Sequence, residues 1–175
     1  VMTVKGALKA KEAGAAAIVV SNHGGRVLDQ CPATAEVLPE IADALKGSGV
    51  KVLVDGGIRS GVDVFKALAL GADGVLICRP FVTAVYGGGA EGVKCYIDKI
   101  AGELADTMQM CGAHSLAEIS EDMVRVEFQT IKEGCRRASL VYCLFTSAFH
   151  PAPADITTVS GHGRLCRKGR RSRAG

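Results

Sequence analysis

The sequence predicts an α/β protein whose parallel strands are joined by helical crossovers. Three observations carry this. Short apolar runs alternate with Ala-rich, charge-bearing stretches in the order α-β-α-β-α-β-α. Each run is apolar at successive positions, the pattern of a parallel strand covered on both faces. The polar residues suited to chemistry, Ser21, Asn22, His23, Arg26, Asp55, Arg59 and Arg79, each follow such a run. α/β folds place their sites at those strand ends.

The elements follow in order. Thr3 is placed to cap a helix that runs to about Ala13 and stops at Gly14. Ala16–Val20 is a strand, and a polar loop from Ser21 to Ala33 follows it. Thr34 opens a second helix through Leu45, with Glu36 and Glu40 towards its positive end. Val50–Val54 is a second strand, ending in Asp55-Gly56-Gly57-Ile58-Arg59-Ser60-Gly61. Val62–Leu70 is a third helix, and Asp73–Cys78 a third strand that runs into Arg79-Pro80. A long helix from about Glu91 to Met110 closes the pattern.

The bulk properties narrow the class. Hydrophobic residues make up 48% of the 175 and aromatic residues 5%, with no Trp, so the core is built from Ala, Val, Ile and Leu. No apolar run reaches the ~18 residues of a membrane span, and no signal peptide is visible. The seven Cys are scattered without a CxxC pair. That spacing argues against a zinc site or redox dithiol, and the plain reading is mostly reduced thiols in the cytoplasm. Cys78, taken alone, reads as a small buried hydrophobe.

Charge divides the chain. Residues 1–125 carry 12 Lys/Arg against 15 Asp/Glu, and residues 126–175 carry 9 against 3. The second part is a basic tail rich in Pro, Ser, Gly and Arg beyond Pro151, which reads as disordered. It has no base-reading motif, so no specific nucleic-acid partner is expected. A shift of reading frame near residue 126 is one expectation for its origin.

Two architectures fit the first part, a doubly wound sheet and a (β/α)8 barrel. Three strands cannot close a barrel and leave open edges. The chain, which has no Met at position 1, is therefore expected to begin inside a larger fold.

At the strand ends the residues point to anions. His23 could be a hydrogen-bonded structural histidine. Its setting after an apolar strand, with Asn22 before it and Gly24-Gly25-Arg26 after it, suits a base instead. Arg26 offers a fixed guanidinium to a carboxylate. Glycines at 56 and 57 let backbone N–H groups approach phosphate, and Arg59 and Arg79 supply bidentate donors.

Val20-Ser-Asn-His-Gly-Gly-Arg26, Asp55-Gly-Gly-Ile-Arg59, Asp63-Val-Phe-Lys-Ala-Leu-Ala-Leu-Gly71 and Arg79-Pro80 resemble the FMN-dependent 2-hydroxy-acid dehydrogenases and oxidases. Glu103–Met108 and Ser115–Ile119 extend the likeness to about residue 122. The resemblance implies the C-terminal portion of a (β/α)8 TIM barrel, about three parallel strands with flanking helices, over residues 1–125. It implies FMN as cofactor and a small 2-hydroxy acid of the lactate or glycolate type as substrate, oxidised to the 2-oxo acid. It also implies a homo-oligomer for the full-length family member.

By the same resemblance, His23 matches the base that takes a proton from the substrate, and Arg26 the arginine that binds its carboxylate. Ser21 matches a flavin-ring contact and Asp55 a partner of the ribityl hydroxyls. Gly56, Gly57, Arg59 and Arg79 match the phosphate site. Cys78 falls in the cofactor set, where the family usually has Gly. The family's flavin lysine lies further upstream of the Asn than Lys5 does, which places its position before Val1. The acid that orients the histidine belongs to the family's first half. DGGIR also occurs in other FMN or phosphate barrels, such as IMP dehydrogenase and type 2 isopentenyl-diphosphate isomerase. The other alternative is a non-catalytic remnant.

Overall fold

A computed structural model describes residues 1–125. The expectations for the basic tail, 126–175, lie outside the described residues. The order is α1 (Val4–Glu12), β1 (Ala17–Val20), α2 (Thr34–Leu45), β2 (Lys51–Asp55), α3 (Gly61–Ala69), β3 (Gly74–Leu76) and α4 (Arg79–Cys111). Short 3-10 turns occupy His23–Gly25, Leu116–Glu118 and Glu121–Met123. The strands form one sheet in the order β1-β2-β3, and they are parallel, as the alternation of elements implies.

The register aligns Ile18 with Val52, and Val20 with Val54 and then Val75. These residues share one face, because side chains alternate along a strand. That face meets the helices. Ile18, Val20, Val52 and Val54 pack with Ala7 of α1, with Leu38, Ile41 and Leu45 of α2, and with Ala67 and Leu70 at the end of α3. Burying each larger aliphatic side chain contributes about 1.5–3 kcal/mol.

The opposite face is a correction to the sequence reading, which expected strands covered on both sides. Val19 and Leu53 are only half-buried there, and Leu76 is 43% exposed. Among the described residues the helices pack against one side of the sheet only. The strands are apolar on both faces, but this layer buries one.

Local chemistry explains the helix starts. Thr3 Oγ1 accepts the Gly6 N–H at 3.1 Å and begins α1. Ser60 and Asp63 form a reciprocal capping box on α3. Asp63 Oδ2 also accepts the Arg59 N–H at 3.0 Å, which steadies the turn before the helix.

Two boundaries moved. β3 is shorter than expected and ends at Leu76. α4 begins at Arg79, so the helix expected from Glu91 starts a full segment earlier. It bends at Gly88 and Gly89, where φ is −156° and 56°. Phe81 and Tyr96 meet edge to face across the bend at 5.1 Å.

α3 and α4 approach closely. The Gly61 N–H donates to Glu103 Oε2 at 2.9 Å, and a β-carbon at Gly61 would stand 2.2 Å from Leu104 N. Lys99 also binds the Glu103 carboxylate. That ion pair, helped by the Gly61 N–H, holds the Glu103 carboxyl below its ordinary value.

At the other end of the sheet Asp73 ties β2 to the start of β3. It binds Lys51 Nζ at 2.7 Å and the Val52 N–H at 2.8 Å.

Candidate active site

The site residues gather at the carboxyl end of the sheet because parallel strands put all three strand ends on one side. The loop after β1 carries Ser21 to Arg26. The turn after β2 carries Asp55 to Arg59. Cys78 and Arg79 follow β3 at the mouth of α4.

The first loop is wound left-handed. His23 has φ 57°, and is the non-glycine residue with positive φ among those described. Gly24 and Gly25 follow at 67° and 72°. A left-handed non-glycine residue costs on the order of 1 kcal/mol, so the surroundings must hold it. Ser21 Oγ accepts the His23 N–H at 3.2 Å, Asn22 Oδ1 the Gly24 N–H at 3.0 Å, and the Asn22 carbonyl the Gly25 N–H at 3.1 Å. These three N–H groups are therefore already bonded within the loop. An anion held here meets side chains instead.

Those side chains are present. Arg26 Nη2 lies 3.4 Å from His23 Nε2, and both residues are exposed. A guanidinium only donates, so Nε2 is the lone-pair nitrogen in this arrangement. An imidazole presenting a lone pair beside a cation can accept a proton from a bound anionic molecule.

The second loop suits a phosphate and a polyol. Gly56 and Gly57 have φ of 91° and 85°, and nothing stands within 4 Å of a β-carbon placed on Gly57. The Asp55 side chain is half-buried at the strand end, and among the described residues its carboxylate has no hydrogen-bond partner. Arg59 is exposed, and its carbonyl accepts the Tyr96 hydroxyl at 2.9 Å.

Arg79 comes from the third strand end. Its Nη2 would stand 3.6 Å from a β-carbon on Gly24, so its guanidinium reaches the histidine loop. Cys78 precedes it and is exposed with a free thiol, which corrects the reading of a buried hydrophobe. The reason is the early end of β3, which leaves Cys78 as the residue before a helix rather than one within a strand. Its backbone, at φ −113° and ψ −81°, is neither helical nor extended, and its φ is not one that favours glycine.

Sequence reasoning missed the residues that tie these loops together. Thr34 is buried, and its Oγ1 donates to the Asp55 carbonyl at 2.7 Å. Asn22 Nδ2 donates to the Pro32 carbonyl at 3.2 Å. No local pattern signals either bond, because each partner lies in another turn of the chain. The capping box of Ser60 and Asp63 was not read from the sequence either.

A cleft of about 380 Å³ lies on the helical side, between α2 and α3. Its lining, including Leu38, Val54 and Leu70, is mainly apolar and does not include His23 or Arg26. It does take in Gly56 and Gly57 of the second loop, together with Asp63 and Lys66.

A family model described as FMN-dependent dehydrogenase matches residues 1–126. A peroxisomal (S)-2-hydroxyacid oxidase of Arabidopsis thaliana is 50% identical over 131 residues, covering 75% of this chain and 36% of that protein. An L-lactate dehydrogenase of Xanthomonas campestris is 50% identical over 127 residues, covering 69% and 33%. Among solved structures, a flavocytochrome b2 variant with sulfite bound superposes with a TM-score of 0.67 at 41% identity, covering 70% of this chain and 33% of that one. A mandelate oxidase with benzoyl-formic acid gives 0.67 at 46% identity, covering 69% and 36%. The chain thus spans about a third of the length of these proteins.

Proposed function

The chain belongs to the FMN-dependent dehydrogenase family, and from that premise we propose that it supplies part of the active site of an enzyme that oxidises a small 2-hydroxy acid. Solved members of the family are TIM-barrel flavoenzymes, and the three parallel strands are an arc of that barrel. The observation that carries the proposal is the His23–Arg26 pair, 3.4 Å apart on a left-handed loop at a strand end.

The residues fit FMN. The open glycine turn at 56 and 57, with Arg59 and Arg79, suits a phosphate, and the Asp55 carboxylate suits polyol hydroxyls. Bound there, FMN supplies the two-electron acceptor. The remaining work belongs to the chain. Arg26 pairs with the substrate carboxylate and orients the hydroxyl-bearing carbon. His23 Nε2 takes a proton from the substrate as it becomes the 2-oxo acid. Ser21, whose Oγ accepts the His23 N–H, would contact the flavin ring. Lactate and glycolate suit a site whose defining contact is one carboxylate.

Flavin bleaching tests this. FMN is titrated into the chain, with and without a polypeptide carrying the remaining barrel strands of a relative. Lactate or glycolate is then added without oxygen. The expected result is bleaching with the added polypeptide and little without it. A complemented mixture that binds FMN but is not reduced by any 2-hydroxy acid would sink the proposal.

A further inference from the structure

We propose that Asn22 is a positioning residue for His23, holding the base in its left-handed conformation and fixing which imidazole nitrogen faces Arg26. The proposal rests on the reading of His23 as a base, but its geometry stands by itself. Asn22 uses both ends of its carboxamide. Oδ1 accepts the Gly24 N–H at 3.0 Å, and Nδ2 donates to the Pro32 carbonyl at 3.2 Å. The first bond closes a turn around His23. The second ties the beginning of the loop to its end, ten residues on in sequence.

The orientation of the amide is not ambiguous. Flipping it would set an NH2 group against an N–H and an oxygen against a carbonyl, losing both bonds. Asn22 Oδ1 also lies 4.0 Å from the β-carbon position of Gly56, so the same side chain abuts the turn assigned to phosphate. The acceptor bond is the one that bears on Gly24 and His23, and the donor bond ties the loop to Pro32. Aspartate keeps the acceptor and loses the donor; alanine loses both.

His23 is where the consequence falls. Its left-handed φ of 57° has a cost that the flanking bonds must offset, and Asn22 supplies two of them, one from Oδ1 and one from its carbonyl. Without the side-chain bond, the loop has less reason to keep His23 Nε2 turned to Arg26 Nη2.

The test is nuclear magnetic resonance on the full chain, with no flavin or substrate added. It reads the imidazole nitrogen shifts of His23 and the amide exchange of Gly24, with Val19 and Val54 as strand controls. In the unsubstituted chain Nε2 carries the lone pair. In Asn22→Ala, Gly24 exchange accelerates roughly fivefold to tenfold, the two tautomers of His23 mix, and the strand amides do not change. In Asn22→Asp, Gly24 and the His23 tautomer stay as in the unsubstituted chain. An alanine variant indistinguishable from the parent overturns the proposal. So does an aspartate variant that mixes the tautomers, or an equal loss of protection at Val19 and Val54. If the alanine variant does not fold, the aspartate variant decides. Because no cofactor is needed, failure here is distinct from failure of flavin bleaching.

Discussion

The guanidinium of Arg79 lies against Gly24, where a β-carbon would stand 3.6 Å from Nη2. The third strand end therefore comes beside the loop of the first, and the proposed phosphate arginine stands near the turn that carries the proposed base. At 3.6 Å there is room for a methyl group, so the glycine is required by its φ of 67° rather than by space. Gly24→Ala should cost about 1 kcal/mol, a shift of a few degrees in the thermal midpoint, with FMN binding weakened only slightly. Thermal unfolding and a flavin titration check this.

Gly61 presents the opposite case. A β-carbon there would meet Leu104 N at 2.2 Å and Ile100 O at 2.5 Å, both backbone atoms. Neither can swing away, so Gly61→Ala must push α3 from α4 and strain the Gly61–Glu103 bond. The expected loss is about 3 kcal/mol or more, read by urea unfolding.

Thr34→Val removes a hydroxyl with little change of shape. The Asp55 carbonyl loses its 2.7 Å partner. The acceptor is part-buried, so its loss costs about 1 kcal/mol, towards the lower end for an unsatisfied group. Amide exchange should quicken in the Asp55–Gly57 turn before it does in β1.

Asp73 links stability to pH. The Lys51 hydrogen bond, then the Val52 N–H, lower its carboxyl below the ordinary value of 3.8. Its stabilisation is present above that value and is lost as pH falls through the lower folded one. The side chain is 36% exposed, so solvent screening limits the ion pair to about 1 kcal/mol or less. Asp73→Asn should be less stable than the parent at neutral pH, and the gap should close in strong acid. Denaturant unfolding across that range checks the sign.

Within an assembled enzyme His23→Gln should keep FMN affinity and lose reduction by the hydroxy acid. Arg26→Lys keeps the charge but loses the planar fork, and should weaken substrate binding roughly tenfold to a hundredfold. Flavin titration and stopped-flow reduction separate the two effects.

Much of the fold was legible. The α2 boundaries match the sequence reading, Thr3 caps α1 as its position suggests, and the parallel strands follow from the alternation of elements. The long helix was read only from about Glu91, whereas it begins at Arg79 and bends at Gly88 and Gly89. The candidate site was legible as a list of strand-end residues. What could not be read was Thr34 under Asp55, Asn22 reaching Pro32, and Arg79 beside Gly24.

By itself, then, the sequence determined which residues stand at each strand end and that His23 and Arg26 share one tight loop. Caps, turns and apolar periods act over a few residues, and their information is local. The tertiary structure alone decided which strand ends meet, and which strand face the helices cover. Those outcomes depend on parallel register, which sets Val20 beside Val54 and Val54 beside Val75. Register is a property of pairing between distant segments, and it is what carries Arg79 to within reach of the loop that holds His23.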